Sequence, residues 1–183
     1  MDDKQKQIAE NKALIEKYPF LKPQFCDEEF EKEYDYSWTE LDFVCIGWHK
    51  MFLELCEDIK QHLLAKNVPL TDFHFADIKE KWGTLRIEAY GAVDDELYDM
   101  LYEAEIRSML FCPHCGKPTK YVTKGYVLYM CPECVKKSKL NGELLTENDV
   151  PYTTIYGDNN EKTIKRSKYD AEFRAQWNGK EGD

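Results

Sequence analysis

Four cysteines constrain the fold of this chain more than any other feature of its sequence. They form two C-x-x-C pairs, Cys112 with Cys115 and Cys131 with Cys134, and fifteen residues separate the pairs. A C-x-x-C turn aims two thiolates at one metal ion, and a second pair at this spacing can return across a short hairpin to complete a tetrahedron. The pattern predicts a structural zinc ion in a ribbon, residues 111–139, that is too small to hold a core of its own.

Two disulfides or a redox-active C-x-x-C are the alternatives to zinc. The presence of two pairs, each with proline at its second position, favours zinc over both. Cysteine fills all four coordination positions, so no position remains for a metal-bound water and we expect no Lewis-acid catalysis. His114 lies inside the first pair, where its ring is expected to face solvent and to serve as a spare ligand at best.

The other cysteines and the absence of long apolar stretches indicate the compartment. Cys26, Cys45 and Cys56 bring the total to an odd seven. An odd count together with a zinc site favours a reducing compartment, so we expect a cytoplasmic protein. The charged N-terminus lacks an apolar signal region and no stretch approaches about twenty apolar residues, so no membrane insertion is expected.

Apolar periodicity predicts an α+β fold with a helix–β-hairpin–helix core and an appended four-cysteine zinc ribbon. Residues 8–18 favour a short helix that stops at Pro19, and the apolar residues of 48–63 recur at helical spacing. Residues 72–90 alternate as paired strands do, and 94–109 return to helical spacing. Residues 20–42 are predicted to be irregular and held by aromatic anchors, with a helix possible only near 28–34.

Three regions follow from this reading. Residues 1–110 form the predicted α+β core with its acidic, aromatic N-terminal segment, and residues 111–139 form the ribbon. Residues 140–183 are predicted to be an extension that packs on the core, with a strand at 151–158 and a helix at 168–177.

Charge is distributed unevenly along the chain. The net charge is −10, and residues 27–42 alone carry eight acidic residues against one lysine, a net −7. Residues 112–139 carry six lysines against one glutamate, a net +5. Four thiolates on Zn²⁺ contribute about −2, which leaves the ribbon near +3. The overall charge disfavours attraction of the whole surface to nucleic acid or to anionic lipid.

The acidic segment, defined as residues 25–43, is the first candidate binding surface. Its carboxylates suit a host protein with a basic surface, and its rings supply anchors. The predicted contact residues are Glu28, Glu29, Glu31, Glu33 and Trp38. A solvated acidic loop is the alternative interpretation.

The run from Lys79 to Arg86 is a second candidate surface. Lys79, Lys81 and Arg86 could pair with phosphate or carboxylate, and Trp82 could stack on a base or anchor an interface. The alternative is a hairpin turn in which Gly83 relieves the backbone, Trp82 and Leu85 pack, and Arg86 neutralises an acid of the adjacent helix.

The basic face of the ribbon gives an alternative function. Lysines interleaved with tyrosines are typical of nucleic-acid-binding surfaces. The residues concerned are Lys120, Lys124, Tyr126, Lys136 and Lys137.

No catalytic constellation is recognisable in the sequence. His49, His62, His74 and His114 share no spacing typical of a metal site or a triad, and no glycine-rich phosphate loop is present. A non-enzymatic function is favoured. An active site between the long helix and the hairpin stays open, because catalytic residues need not be neighbours in sequence.

Several short motifs resemble one family. They are Lys17-Tyr18-Pro19, Gly47-Trp48, the run Asp77-Ile78-Lys79-Glu80-Lys81-Trp82-Gly83-Thr84-Leu85-Arg86 and the four-cysteine ribbon. Together they resemble a family of hypothetical proteins of bacteriophages, prophages and gut bacteria, whose motif K-E-K-[FYW]-G-x-L-R precedes a helix and a zinc ribbon. The resemblance covers roughly residues 14–135, and the ribbon departs from it where Tyr126 follows Gly125 in place of tryptophan.

The resemblance implies a phage or mobile-element origin and carries no established activity. We therefore expect an accessory protein in the cytoplasm of a host cell, one that binds and modulates or inhibits a host protein such as a nucleic-acid-handling or defence factor.

Overall fold

A computed structural model of the chain describes residues 2–25, 27–156 and 162–178. The described residues form helices α1 (Asp3–Lys17), α2 (Glu28–Glu33), α3 (His49–Ala65), α4 (Asp95–Ser108), α5 (Pro132–Ser138) and α6 (Asp170–Gln176). They form strands β1 (Phe73–Lys81), β2 (Thr84–Gly91), β3 (Tyr121–Thr123), β4 (Tyr129–Met130), β5 (Gly142–Leu144), β6 (Tyr152–Tyr156) and β7 (Lys162–Arg166). The predicted mixed α+β class is confirmed.

The chain divides into two compact units. The first unit comprises Met1–Cys45, His49–Glu80 and Arg86–Tyr102. The second comprises Ile46–Trp48, Lys81–Leu85 and Glu103–Asp183. The three regions expected from the sequence stay a prediction.

The helices of the first unit begin and end where the sequence supplies caps. The Asp2 carboxylate accepts a hydrogen bond from the Lys4 N–H at the start of α1, and Pro19 follows the last residues of that helix. The predicted apolar stripe of the long helix is confirmed in α3, which buries Phe52, Leu55, Ile59 and Leu63 among others. Trp48, predicted to open that stripe, lies in a 3₁₀ turn, Ile46–Trp48, directly before it.

Aromatic rings fill the core of the first unit. The ring centroids of Phe20 and Phe73 lie 5.4 Å apart, those of Phe52 and Phe75 5.4 Å apart, and those of Phe73 and Phe75 5.2 Å apart. All four rings are buried. Phe52 belongs to α3 and Phe73 and Phe75 to β1, so the long helix packs on the first strand of the hairpin.

β1 and β2 form a two-stranded sheet joined by Trp82 and Gly83. Both linking residues have positive φ, 57° for Trp82 and 78° for Gly83. This pattern is typical of a type I′ turn, whose twist matches that of antiparallel strands. Glycine adopts it without strain, whereas tryptophan does so rarely.

The second unit has its own buried cluster. Its members are Ile106, Met109, Leu110, Leu145, Val150, Phe173 and Trp177. The two aromatic members belong to the region of α6, which forms within the predicted helical stretch 168–177. β6 lies in the stretch predicted to be a strand and pairs antiparallel with β7, while residues 157 and 158 of that prediction lie outside the described residues.

Within the described part of the chain, no helix has both the length and the apolar character needed to cross a bilayer.

Candidate functional site

The four predicted metal ligands lie together in the second unit. The Sγ atoms of Cys112, Cys115, Cys131 and Cys134 are all within 4.8 Å of one another. The Cys115 Sγ lies 3.6 Å from the Cys131 Sγ and 3.5 Å from the Cys134 Sγ. Cys112 and Cys131 are buried, whereas Cys115 is exposed.

Backbone hydrogen bonds shape the first cysteine turn. The Gly116 N–H donates to the Cys112 carbonyl at 2.8 Å, and the Cys115 N–H donates to the same oxygen at 3.2 Å. The Cys112 N–H donates in turn to the Lys117 carbonyl at 2.9 Å. Gly116 has φ +73°, a left-handed conformation that favours glycine directly after the second cysteine.

The second cysteine pair lies at the start of α5. Cys131 is the N-cap residue, and its sulfur accepts a hydrogen bond from the Cys134 N–H at 3.4 Å. Pro132 takes the first helical position, where its fixed φ suits the helix and its missing N–H costs nothing. The C-P-x-C sequence therefore closes the turn and begins a helix at once.

A short hairpin brings the two pairs together, as the spacing predicted. β3 and β4 run antiparallel, with Tyr121 opposite Met130. The Lys120 N–H donates to the Met130 carbonyl at 2.9 Å, directly before Cys131. A third strand, β5, pairs with β3 on its other side and was not predicted from the sequence.

The sulfur arrangement fits a four-coordinate metal ion. A regular tetrahedron with metal–sulfur bonds of about 2.3 Å has edges of about 3.8 Å, close to the two short sulfur–sulfur distances. His114 is exposed and does not belong to this cluster. The four cysteines could therefore hold a metal ion without a fifth protein ligand.

Electrostatics also favour a cation among the sulfurs. Burial raises the pKa of the Cys112 thiol, as does the nearby sulfur of Cys131. Four thiols this close cannot all ionise unless a cation offsets their mutual repulsion. Lys117 lies near the cluster, but its ammonium pairs with the Glu133 carboxylate at 2.6 Å.

The first cysteine turn also packs against a segment far away in sequence. The Gly47 N–H donates to the Pro113 carbonyl at 2.9 Å, and the Trp48 indole N–H donates to the Phe111 carbonyl at 2.8 Å. A Cβ on Gly47 would meet the Cys112 carbonyl oxygen and lie 2.6 Å from the Gly116 nitrogen. Gly47 is thus a structural residue of the site; the sequence singled out Gly47-Trp48 as part of the family resemblance and did not assign it to the site.

In the first unit, the acidic segment contains helix α2. Glu31 pairs with Lys22 at 2.6 Å, and Glu28 pairs with Lys32 at 3.8 Å. Glu29 and Glu33 make no ion pair with any other described residue. Two of the four predicted acidic contact residues therefore keep an uncompensated charge.

An open pocket of about 230 Å³ lies within this segment. Its lining consists of Phe25, Phe30, Glu33, Tyr34, Asp35 and Trp38. The ring centroid of Phe25 lies 5.4 Å from that of Tyr34 and 6.2 Å from that of Trp38. Phe30 is 64% exposed at the pocket. The structure thus brings Glu33 and Trp38, both predicted contact residues, into one concave surface.

Two titratable side chains of the acidic segment are perturbed by burial. Burial raises the pKa of Tyr34 to about 12, and its hydroxyl donates to the Trp38 carbonyl. Burial likewise raises the pKa of Glu40 to about 7. No other described residue forms an ion pair with Glu40, so the segment contains a half-buried carboxyl without a compensating cation.

The residues of the second candidate surface belong to both units of the chain. Lys79 pairs with Asp77 in the first unit, and Arg86 is half-buried there. Lys81 and Trp82 belong to the second unit, where Trp82 is 67% exposed. Leu85 is buried as the hairpin interpretation predicted, but Trp82 does not pack as that interpretation required.

Two of the four lysines in the predicted basic face of the ribbon are engaged within the protein. The Lys120 ammonium donates to the Gln176 carbonyl, and Lys124 pairs with Glu143. Lys136 and Lys137 lie on α5 and are exposed, as is Tyr126 at 62%. The available positive charge is therefore smaller than the sequence suggested.

Comparison of the chain with models of known protein families, with curated proteins and with solved structures found no match.

Proposed function

We propose that the chain is a non-enzymatic protein that binds a host protein through its acidic segment. The observation that carries the proposal is the open aromatic pocket in that segment, which is also lined by two carboxylates, Glu33 without an ion pair and Asp35 paired with Lys4. An exposed ring beside a concave surface is typical of interface anchors, and carboxylates around it select a partner of opposite charge. The partner is a protein with a basic surface, such as a nucleic-acid-handling or defence factor, which the chain modulates or inhibits.

The four cysteines hold Zn²⁺, and its role is structural. Thiolate ligands and a tetrahedral arrangement both suit zinc, and four protein ligands leave no position for a reacting water. The ion fixes the ribbon that is appended to the helix–β-hairpin–helix core. A phage or mobile-element origin and a place in the host cytoplasm rest on the motif resemblance and on the cysteine content.

Nucleic acid is the less favoured partner. Lys117, Lys120 and Lys124 are engaged by groups of the protein itself, and the net charge of −10 opposes phosphate. Retention of nucleic acid is therefore an outcome that the experiment must be able to detect.

Charge reversal at the acidic segment tests the proposal. The test variant is Glu29→Lys with Glu33→Lys, and the matched control is Glu16→Lys with Asp58→Lys. All four side chains are exposed and form no ion pair within the described residues, so both variants change the net charge equally. Each is immobilised and exposed to nuclease-treated host lysate at low and moderate salt, and affinity for a lysine- and arginine-rich peptide is measured in parallel.

We expect wild type and the control to retain the same protein in stoichiometric amount and to release it with salt. The test variant should bind that protein and the basic peptide about tenfold more weakly. Equal retention by the two variants would exclude the acidic segment from the interface. Recovery of nucleic acid alone, when nuclease is omitted, would assign binding to the ribbon instead.

A further inference from the structure

The pocket of the acidic segment combines two kinds of lining that rarely serve the same ligand. Four of its six lining residues are aromatic, and the other two, Glu33 and Asp35, are carboxylates. An apolar ligand would leave the carboxylates unpaired, whereas an anion would be repelled by them. A cation satisfies both, because aromatic faces attract positive charge and carboxylates accept its hydrogen bonds.

The rings have a geometry that offers faces as well as edges. The Tyr34 and Trp38 centroids lie 6.1 Å apart with an angle of 83° between the ring planes. The Phe25 and Trp38 planes meet at 79°. Rings set nearly perpendicular to one another present differently oriented faces and edges to one ligand, as in a partial cage.

The segment already attracts cations from its own chain. The Lys4 ammonium lies 3.4 Å from the Asp35 carboxylate, and the Lys12 ammonium lies 5.0 Å from the centroid of the Tyr36 ring. Hydrogen bonds from Ser37, followed by the nearby Lys4, hold the pKa of the Asp35 carboxyl below its ordinary value. Asp35 is therefore charged at neutral pH, and a cationic ligand would share its carboxylate with Lys4.

The volume of the pocket limits the size of that ligand. At about 230 Å³ and widely open, it is smaller than the roughly 300–1,000 Å³ typical of small-molecule pockets. It suits one long side chain that enters from a partner's surface. This conclusion rests on the proposed function, because it names the group that the acidic segment would bind.

We propose that the pocket receives an arginine side chain of the partner protein. The guanidinium group lies against the aromatic rings and donates hydrogen bonds to Glu33 and Asp35. Arginine is favoured over lysine because its planar group stacks on rings, is more weakly hydrated, and donates two parallel hydrogen bonds to one carboxylate.

Peptides that carry equal charge on different side chains distinguish recognition of arginine from general electrostatic attraction. Fluorescence anisotropy measures the affinity of the full chain for three labelled peptides of one length, which repeat arginine, lysine or trimethyl-lysine between glycines and serines. Two variants remove pocket groups, Glu33→Gln and Phe30→Ala. Their matched controls are Glu16→Gln, at an exposed carboxylate of α1 outside the acidic segment, and Tyr98→Ala, an exposed ring that does not line the pocket.

We expect wild type to bind the arginine peptide about tenfold more tightly than the lysine peptide. Glu33→Gln and Phe30→Ala should each reduce that preference to about twofold, and the two controls should retain it. Circular dichroism spectra identical to wild type verify that the variants are folded.

Each other outcome overturns the assignment in a distinguishable way. Equal affinity for the arginine and lysine peptides, lost on charge reversal at Glu29 and Glu33, would refute the arginine pocket and leave the proposed function standing. No binding of any peptide would count against both. Preference for trimethyl-lysine, or a preference for arginine that survives both pocket variants, would show that the pocket does not recognise arginine.

Discussion

The core of the first unit and the cluster around the cysteines are stabilised by different means. The first contains Phe20, Phe52 and Phe73, each buried and each removing a large apolar area from water. The second contains Cys112, Leu128, Met130 and Cys131 as its buried members. Only two of these four are ordinary core side chains, so burial alone cannot hold the turns in place. The zinc ion proposed for the four cysteines would supply the stability that buried side chains provide in the first unit.

Loss of a metal ligand should destabilise the region around the cysteines more than any of the other substitutions changes stability. Cys112→Ser removes a buried ligand, and structural zinc contributes on the order of 10 kcal/mol to the folding of small modules. We expect bound zinc, measured by atomic emission, to fall from one ion per chain to none. Hydrogen exchange should accelerate in residues 112–135.

Cys45→Ser is the control, because Cys45 is half-buried and lies outside the four-cysteine cluster. It should retain the zinc. Unchanged zinc content in Cys112→Ser would refute the metal centre.

Truncation of a core ring should have the next largest effect. Phe52→Ala leaves a cavity among packed rings, and such changes cost about 3–5 kcal/mol. Urea unfolding measures the loss, and the zinc content should stay at one ion per chain. Phe43→Ala, at a 52% exposed ring, should cost less than about 1 kcal/mol. Equal losses in the two variants would contradict the assignment of the core.

Gly47→Ala tests whether the cysteine turn depends on the distant segment that contacts it. The new Cβ would lie 2.6 Å from the Gly116 nitrogen and 2.8 Å from the Pro113 carbonyl carbon, both backbone atoms. We expect a loss of about 2–3 kcal/mol by urea unfolding, together with faster zinc release to a chelator. Gly125→Ala is the control: a Cβ there meets nothing within 4 Å, and its positive φ costs about 1 kcal/mol. Identical behaviour of the two variants would show that the contact does not constrain the site.

Glu40→Gln should have the smallest effect, and its sign depends on pH. The folded-state pKa of Glu40 is about 7, whereas the ordinary value is 4.5. Between pH 4.5 and pH 7, Glu40 therefore keeps its proton in the folded protein and loses it in the unfolded chain. Ionised Glu40 therefore destabilises the fold fully above pH 7 and not at all below pH 4.5.

We expect Glu40→Gln to stabilise the protein by about 1 kcal/mol at pH 8, after allowance for partial exposure, and to change nothing at pH 4. Thermal unfolding at the two pH values measures this. Glu29→Gln, at an exposed carboxyl, should have no effect at either pH. A stabilisation that is equal at pH 4 and pH 8 would show that ionisation of Glu40 does not destabilise the fold.

The sequence predicted the metal ligands and the main elements because both depend on short spacings. Cys112 and Cys115 define one turn, and the stripe from Phe52 to Leu63 repeats once per helical turn, so neither needs knowledge of the fold. Gly47 could not be assigned to the site, because its contact crosses more than sixty residues of chain. The pocket was also missed, since the rings of Phe25 and Trp38 meet in a segment without periodicity. The engagement of Lys120 and Lys124 depends on partners that only the fold brings near.

The contact between Trp48 and Phe111 has a consequence for the order of folding. These residues lie 63 positions apart, whereas Cys115 and Cys131 lie 16 apart. Closing the longer loop costs about 1 kcal/mol more in chain entropy. During refolding of the full chain, we therefore expect metal capture at the proposed zinc site to come first and burial of the Trp48 indole to follow it. An increase in tryptophan fluorescence that trails zinc uptake would mark that second step in real time.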